Sequence, residues 1–184
     1  VFFNITTPKF AVQAIKKAAE IGWRPVHYLN AVSSPIGAVM RPAGFEAGQG
    51  LISIAYLKDA SDPQWAAWPD VIAWHKFMDQ YMPQADRNST FHVYAYAVCA
   101  TLAEVLKRSG DDLTRANIMK QAAGLENLDV PLLLPHVTIN TSPTNYNPIK
   151  AVRLQRFIGE RWDYSLAAWL AFVPNEGQQT KAGP

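Results

Sequence analysis

The feature that most constrains this chain is a strand–helix alternation packed between Val1 and Leu57. Residues 1–5 are β-branched and aromatic, the composition of a buried strand. Thr6-Thr7-Pro8 ends that strand and opens a helix: Thr7 can cap, and Pro8 suits the first helical position, where a missing N–H costs nothing. Phe10, Ala11, Ala14, Ile15 and Ala18 recur at three-and-four spacing, giving one apolar face, and Gly22 is placed to stop the helix. A strand over 25–29, a turn over 30–34, a short helix over 35–43 and a strand over 51–57 follow, with Gly48 and Gly50 bracketing the last turn. Connections this short in a β-α-β-α-β order predict the α/β class, a mostly parallel sheet with helices on both faces.

Beyond residue 57 the pattern changes. A polar stretch over 58–68 leads to a helix over 69–81 with Val71, Trp74, Met78 and Tyr81 as its apolar stripe. The helix over 91–109 has the strongest periodicity in the chain. Phe91, Tyr94, Val98, Leu102, Val105 and Leu106 lie along one side, expected to face the core, and Gly110 ends it. Asp112-Leu113-Thr114 caps a helix to about residue 123. Residues 131–135 form a proline-bounded apolar stretch, 137–139 a short strand, 151–158 an alternating strand, and 159–162 a hairpin tip. The polar tail over 178–184 is expected to be mobile.

Composition excludes several functions. Across 184 residues, 49% are apolar and 17% charged, with a net charge of +2, which is ordinary for a globular protein and too small to argue for nucleic acid. The only adjacent basic pairs are Lys16-Lys17 and Lys107-Arg108. Cys99 is the single cysteine, so an internal disulfide is ruled out, and its mid-helix position suggests a buried, structural thiol. No apolar run reaches the roughly 18 residues of a membrane span. His27, His75, His92 and His136 are dispersed, without metal-ligand spacing. Ser33 and Ser34 lack a Gly-x-Ser-x-Gly frame, and no dinucleotide or phosphate-binding loop occurs. Asp59, Asp62, Asp70, Asp111 and Asp112 fall in loops and caps, where solvation or capping accounts for them. The residues point to a non-enzyme without a cofactor or metal.

Taken in order, several stretches resemble the type I periplasmic solute-binding proteins, in particular the leucine/isoleucine/valine-binding branch. They are Val1 through Pro8, Ala14 through Trp23, Ala47 through Ser53, Tyr94-Ala-Tyr-Ala97 with its helix, Arg108 through Thr114, and Phe157 through Trp162. The resemblance runs from residue 1 to about 162. It implies two α/β lobes joined by three chain crossings and closing on a ligand between them. Mapped onto this chain, residues 1–55 would be the later half of the second lobe, 56–139 the C-terminal part of the first, and 140–162 a return to the second. Crossings would fall near Ala55-Tyr56 and Asn140-Thr141. The opening Val1-Phe2-Phe3, mid-strand in character, fits a chain that is the later portion of such a protein. Residues 163–184 are an atypical tail: 164–173 is apolar enough to pack on something, and the family pattern does not account for it.

In open α/β sheets ligands sit beyond the carboxyl ends of the strands, where helix N-termini present free N–H groups and favour an anion by about 0.3–1 kcal/mol. The first such junction supplies Thr6 and Thr7, either as ligand contacts or, for Thr7, as a cap alone; Thr6 matches an aromatic ligand-contacting position of the family. The second junction, Asn30 to Ser34, offers Asn30 and Ser33. Amino-acid-binding members place an acidic residue in this loop, and here there is none, which leaves room for an aromatic or short organic acid. Tyr94 matches an aromatic that meets the ligand from the first lobe, though its place on the apolar stripe also suits the core. The resemblance therefore implies a periplasmic receptor that captures an amino acid or organic acid and delivers it to an ABC permease in the inner membrane. A ligand-sensing regulatory domain of the same fold, or an α/β enzyme with its active site elsewhere, are the alternatives.

Overall fold

The computed structural model describes residues 1–165 and 169–171. Three parallel strands build one side of a mixed sheet: β1 (Phe2–Asn4), β2 (His27–Leu29) and β3 (Ile52–Ala55). Phe2 lies opposite His27 and Tyr28 opposite Ile52. β4 (Ala151–Ile158) then runs antiparallel to β3, from Ile52 opposite Arg156 to Ala55 opposite Arg153. The far edge of β4 is shared. β5 (Arg161–Asp163) pairs with one end and β6 (Trp169–Ala171) with the other, giving the order β1-β2-β3-β4-β5 with β6 beside β4. β6 falls in the apolar stretch that sequence reasoning left without a role, whereas the polar segment 178–184 lies outside the described residues.

Side chains alternate across the strands, so Leu29, Ala55 and Phe157 share the inner face. They join a core with Ala11 and Ile15 of α1 (Pro8–Glu20) and with Val39 and Met40 of a wide turn over Ile36–Met40 that runs into α2 (Arg41–Ala43). Each large apolar side chain buried this way stabilises the fold by about 1.5–3 kcal/mol. The short helix expected over 35–43 forms, wound as a π-helix over Ile36–Met40 before it tightens into α2. Pro42, at the start of α2, has no N–H to give to the carbonyl four residues back and its ring crowds that carbonyl, which favours the wider turn before it. Helices flank the sheet, yet Phe3, Tyr28 and Ile158 on the opposite face remain exposed among the described residues.

The chain between β3 and β4 carries α3 (Pro69–Tyr81), α4 (Thr90–Ser109) and α5 (Arg115–Ala122). α3 buries Val71, Trp74 and Met78 as its spacing predicts, but Tyr81 is exposed. α4 corrects the sequence reading. Phe91, Tyr94, Val98, Leu102 and Leu106 are each between 40% and 56% exposed, and the buried line is Val93, Ala97, Val105 and Ser109. These smaller side chains allow close helix approach, so of the expected stripe only Val105 faces inward. Cys99 is exposed, not buried.

The 58–68 stretch is not a solvated loop: Lys58, Asp62 and Trp65 are buried. Leu134 N–H donates to the Tyr56 carbonyl (2.9 Å) and Lys58 N–H to the Leu132 carbonyl (2.8 Å), so 56–58 is laced to 132–134. The strand expected at 137–139 is reduced to bridges from Ile139 to Leu128 and Ile149. Positive φ at Leu132 and His136 (both 70°) breaks the extended run that its composition suggests.

Candidate functional site

A hollow of about 260 Å³ opens at the carboxyl ends of β2 and β3, where the topology of an open parallel sheet leaves space for a ligand. Ala31, Val32, Ser34 and Pro35 line it from the loop after β2, and Ile54 through Asp59 from the end of β3. Thr90, Phe91 and Tyr94 face it from the first turns of α4, and Gln155, Trp162 and Tyr164 from β4 and the C-terminal hairpin. The pairing of β3 with β4 is what carries this last group to the wall. Trp162 holds the rim by donating from Nε1 to the Ser34 carbonyl (2.8 Å).

The wall is largely apolar, and its two opposite charges are already engaged. The Lys58 ammonium sits 2.5 Å from an Asp70 carboxylate oxygen and lies over the Trp68 ring. Asp59 accepts from Ile36 N–H (2.7 Å), Ser61 N–H (2.9 Å) and the Ser61 hydroxyl (2.6 Å). Burial pushes the Asp59 carboxyl above its usual range despite these bonds. Burial, with Tyr94 alongside, also raises the Tyr56 phenol. The Tyr164 phenol stands far above the ordinary range, first through burial and then through the nearby Asp62 and Asp59. Both phenols therefore stay protonated at neutral pH, able to give and to accept hydrogen bonds. Among the described residues no group of three or more His, Cys, Asp or Glu gathers to hold a metal.

The expected site residues are only partly brought together. Tyr94 lines the hollow and is half exposed. Asn30 and Ser33 do not line it, though their neighbours Ala31, Val32 and Ser34 do. Ser33 is buried, and its hydroxyl donates to the Thr6 carbonyl, tying the loop after β2 to the loop after β1. Thr6 turns inward, donating to Asn4 Oδ1 (2.5 Å). Thr7 is the N-cap of α1 by position, but its side chain makes no capping bond. Of the acids read from sequence as solvated or capping, Asp62 is buried while it caps the short turn over Pro63–Trp65, Asp59 is partly buried, and Asp70 sits half-sheltered in the first turn of α3, accepting from Val71 N–H. Sequence reasoning missed Tyr56, Asp59, Gln155, Trp162 and Tyr164.

Residues 1–160 match the family described as periplasmic binding protein. No curated protein matches the chain. Among solved structures, a branched-chain amino acid ABC transporter protein from Thermus thermophilus with bound valine aligns with a TM-score of 0.70 at 12% identity, over 92% of this chain and 45% of that one. A substrate-binding periplasmic protein from Ralstonia solanacearum aligns at 0.67 and 17% identity, over 86% and 42% respectively. A leucine-binding protein from Thermotoga maritima aligns at 0.61 and 14% identity, over 92% and 43%. The chain thus spans less than half the length of each of these structures, and at such identities the likeness is one of fold.

Proposed function

The chain belongs to the periplasmic binding protein family, and we propose on that footing that it serves in an extracytoplasmic solute receptor. In this reading the protein captures an amino acid or a small organic acid between two lobes and delivers it to an ABC importer in the inner membrane. Residues 1–55 and 140–162 belong to one lobe and 56–139 to the other. The observation that carries the reading is the hollow at the strand ends, because its walls come from both sets: the loop after β2, the end of β3, Gln155 and Trp162 on one side, Tyr56 through Asp59 and the start of α4 on the other. Apolar walls with a few convergent polar groups suit a small ligand that is bound and released unchanged.

The test is equilibrium binding by the full-length protein, followed by calorimetry and thermal shift over a panel of aliphatic and aromatic amino acids and organic acids. One-to-one binding without turnover is expected. A ligand at 100 times its Kd should stabilise the fold by about 2.7 kcal/mol. Steady conversion of a bound compound, or no binding and no stabilisation by any member, would overturn the proposal.

A further inference from the structure

Gln155 stands near the middle of β4, opposite Ser53 of β3. It is 2% exposed, and its Oε1 finds no hydrogen-bond partner among the described residues. Gln155 is nevertheless one of the residues lining the hollow. A buried carbonyl without a donor is costly, and such groups persist where something else supplies the hydrogen. An apolar residue would satisfy the strand parity, since Phe157 on the same face is fully buried. The surroundings favour a donor over an acceptor: the Lys58 charge is matched by Asp70, while Asp59 has only neutral N–H and O–H partners and so leaves the hollow electronegative when ionised.

We propose that Gln155 is a specificity-determining residue whose side-chain carbonyl takes an N–H or O–H donor of the bound solute, so that a donor-bearing compound is chosen over its donor-free counterpart. This rests on the receptor reading above. The backbone of Gln155 is fixed by its pairing with β3 and the side chain is buried, which makes discrimination sharp: a solute presenting a methylene or a carboxylate oxygen there leaves the acceptor unsatisfied or repelled.

Matched pairs test it in the full-length protein: L-valine against isovalerate, L-leucine against 4-methylpentanoate, and L-phenylalanine against 3-phenylpropanoate, each by calorimetry. The wild type is expected to prefer the donor-bearing member of the pair it binds. Gln155→Leu should weaken that member roughly 10–100-fold, the range for a lost hydrogen bond to a charged group, while leaving the donor-free member unchanged. Gln155→Glu, which can only accept when ionised, should keep the preference. The Gln155→Leu protein without solute should melt no lower than wild type, because the substitution removes an unsatisfied polar group; a lower melting temperature marks a structural role and overturns the assignment. An unchanged ratio in Gln155→Leu, or a preference abolished in Gln155→Glu, also overturns it and leaves the receptor reading standing. Failure of the wild type to bind any member removes both.

Discussion

The bond between Lys58 and Asp70 joins the end of β3 to the start of α3, and its asymmetry predicts unequal costs for removing its two halves. Lys58 is almost buried, with its side chain 6% exposed, whereas that of Asp70 is 22% exposed. Asp70 also accepts from Leu132 N–H (2.8 Å) and Val71 N–H (3.0 Å). Asp70→Ala therefore strands a buried ammonium and two amides, a loss of about 3–5 kcal/mol. Lys58→Met keeps the apolar stem against Trp68 and leaves a carboxylate that still has two donors and some solvent, a loss of about 1–2 kcal/mol. The double variant should cost about 1–2 kcal/mol more than Lys58→Met alone, because the two amides stay stranded, a coupling of roughly 2–3 kcal/mol. Burial pushes the Asp70 carboxyl up, but Lys58 and the Leu132 and Val71 amides outweigh it and hold the group below its usual range. Its contribution is therefore present above the unfolded pKa of about 3.9 and lost as pH falls through the lower folded value. Urea unfolding of the four proteins at neutral and acid pH measures all of this. Equal costs for the two single variants, or strict additivity in the double, would refute the reasoning.

Two further outcomes follow from single residues. His27 is buried against Phe2, and burial lowers its pKa from 6.5 to about 4. The unfolded chain takes up a proton there before the folded one does, so stability should be full above about 6.5 and decline on the order of 3 kcal/mol as pH falls to about 4; His27→Gln should flatten that part of a melting-temperature profile, and an unaltered profile would show that His27 does not titrate this way. Tyr94 is 51% exposed on the wall of the hollow, so Tyr94→Ala in the full-length protein should reduce solute affinity about tenfold or more while costing less than about 1 kcal/mol of stability. Calorimetry beside urea unfolding separates the two; a large loss of stability with unchanged affinity would make Tyr94 a packing residue.

Local signals in the sequence carried the elements well. The bounds of α3 and β4 coincide with those read from periodicity and alternation, because each has an unambiguous repeat and a proline or glycine beside it. The inward face of α4 was not legible. Hydropathy identifies its most apolar side as Phe91, Tyr94, Val98, Leu102, Val105 and Leu106; of these Val105 is buried, and close packing otherwise selects the smaller Val93 and Ala97. Residues 137–139 have a strand composition, but a positive φ at His136 is invisible to propensity. At the site, the loops after the parallel strands could be found from topology alone. Gln155, Trp162 and Tyr164 could not, since only pairing between segments far apart in the chain sets them beside Tyr56.

That pairing has a consequence for how the protein comes into being. β3 and β4 are neighbours in space, yet every residue from Tyr56 to Lys150 is threaded between them in sequence. During synthesis the antiparallel partner of β3 emerges only after the whole helical excursion has been made, and until then Ile52 through Ala55 present an unpaired strand edge. Closing so wide a loop is entropically slow. The nascent chain should thus pass through an interval in which α3 and α4 are formed while the sheet is still incomplete and open to mispairing.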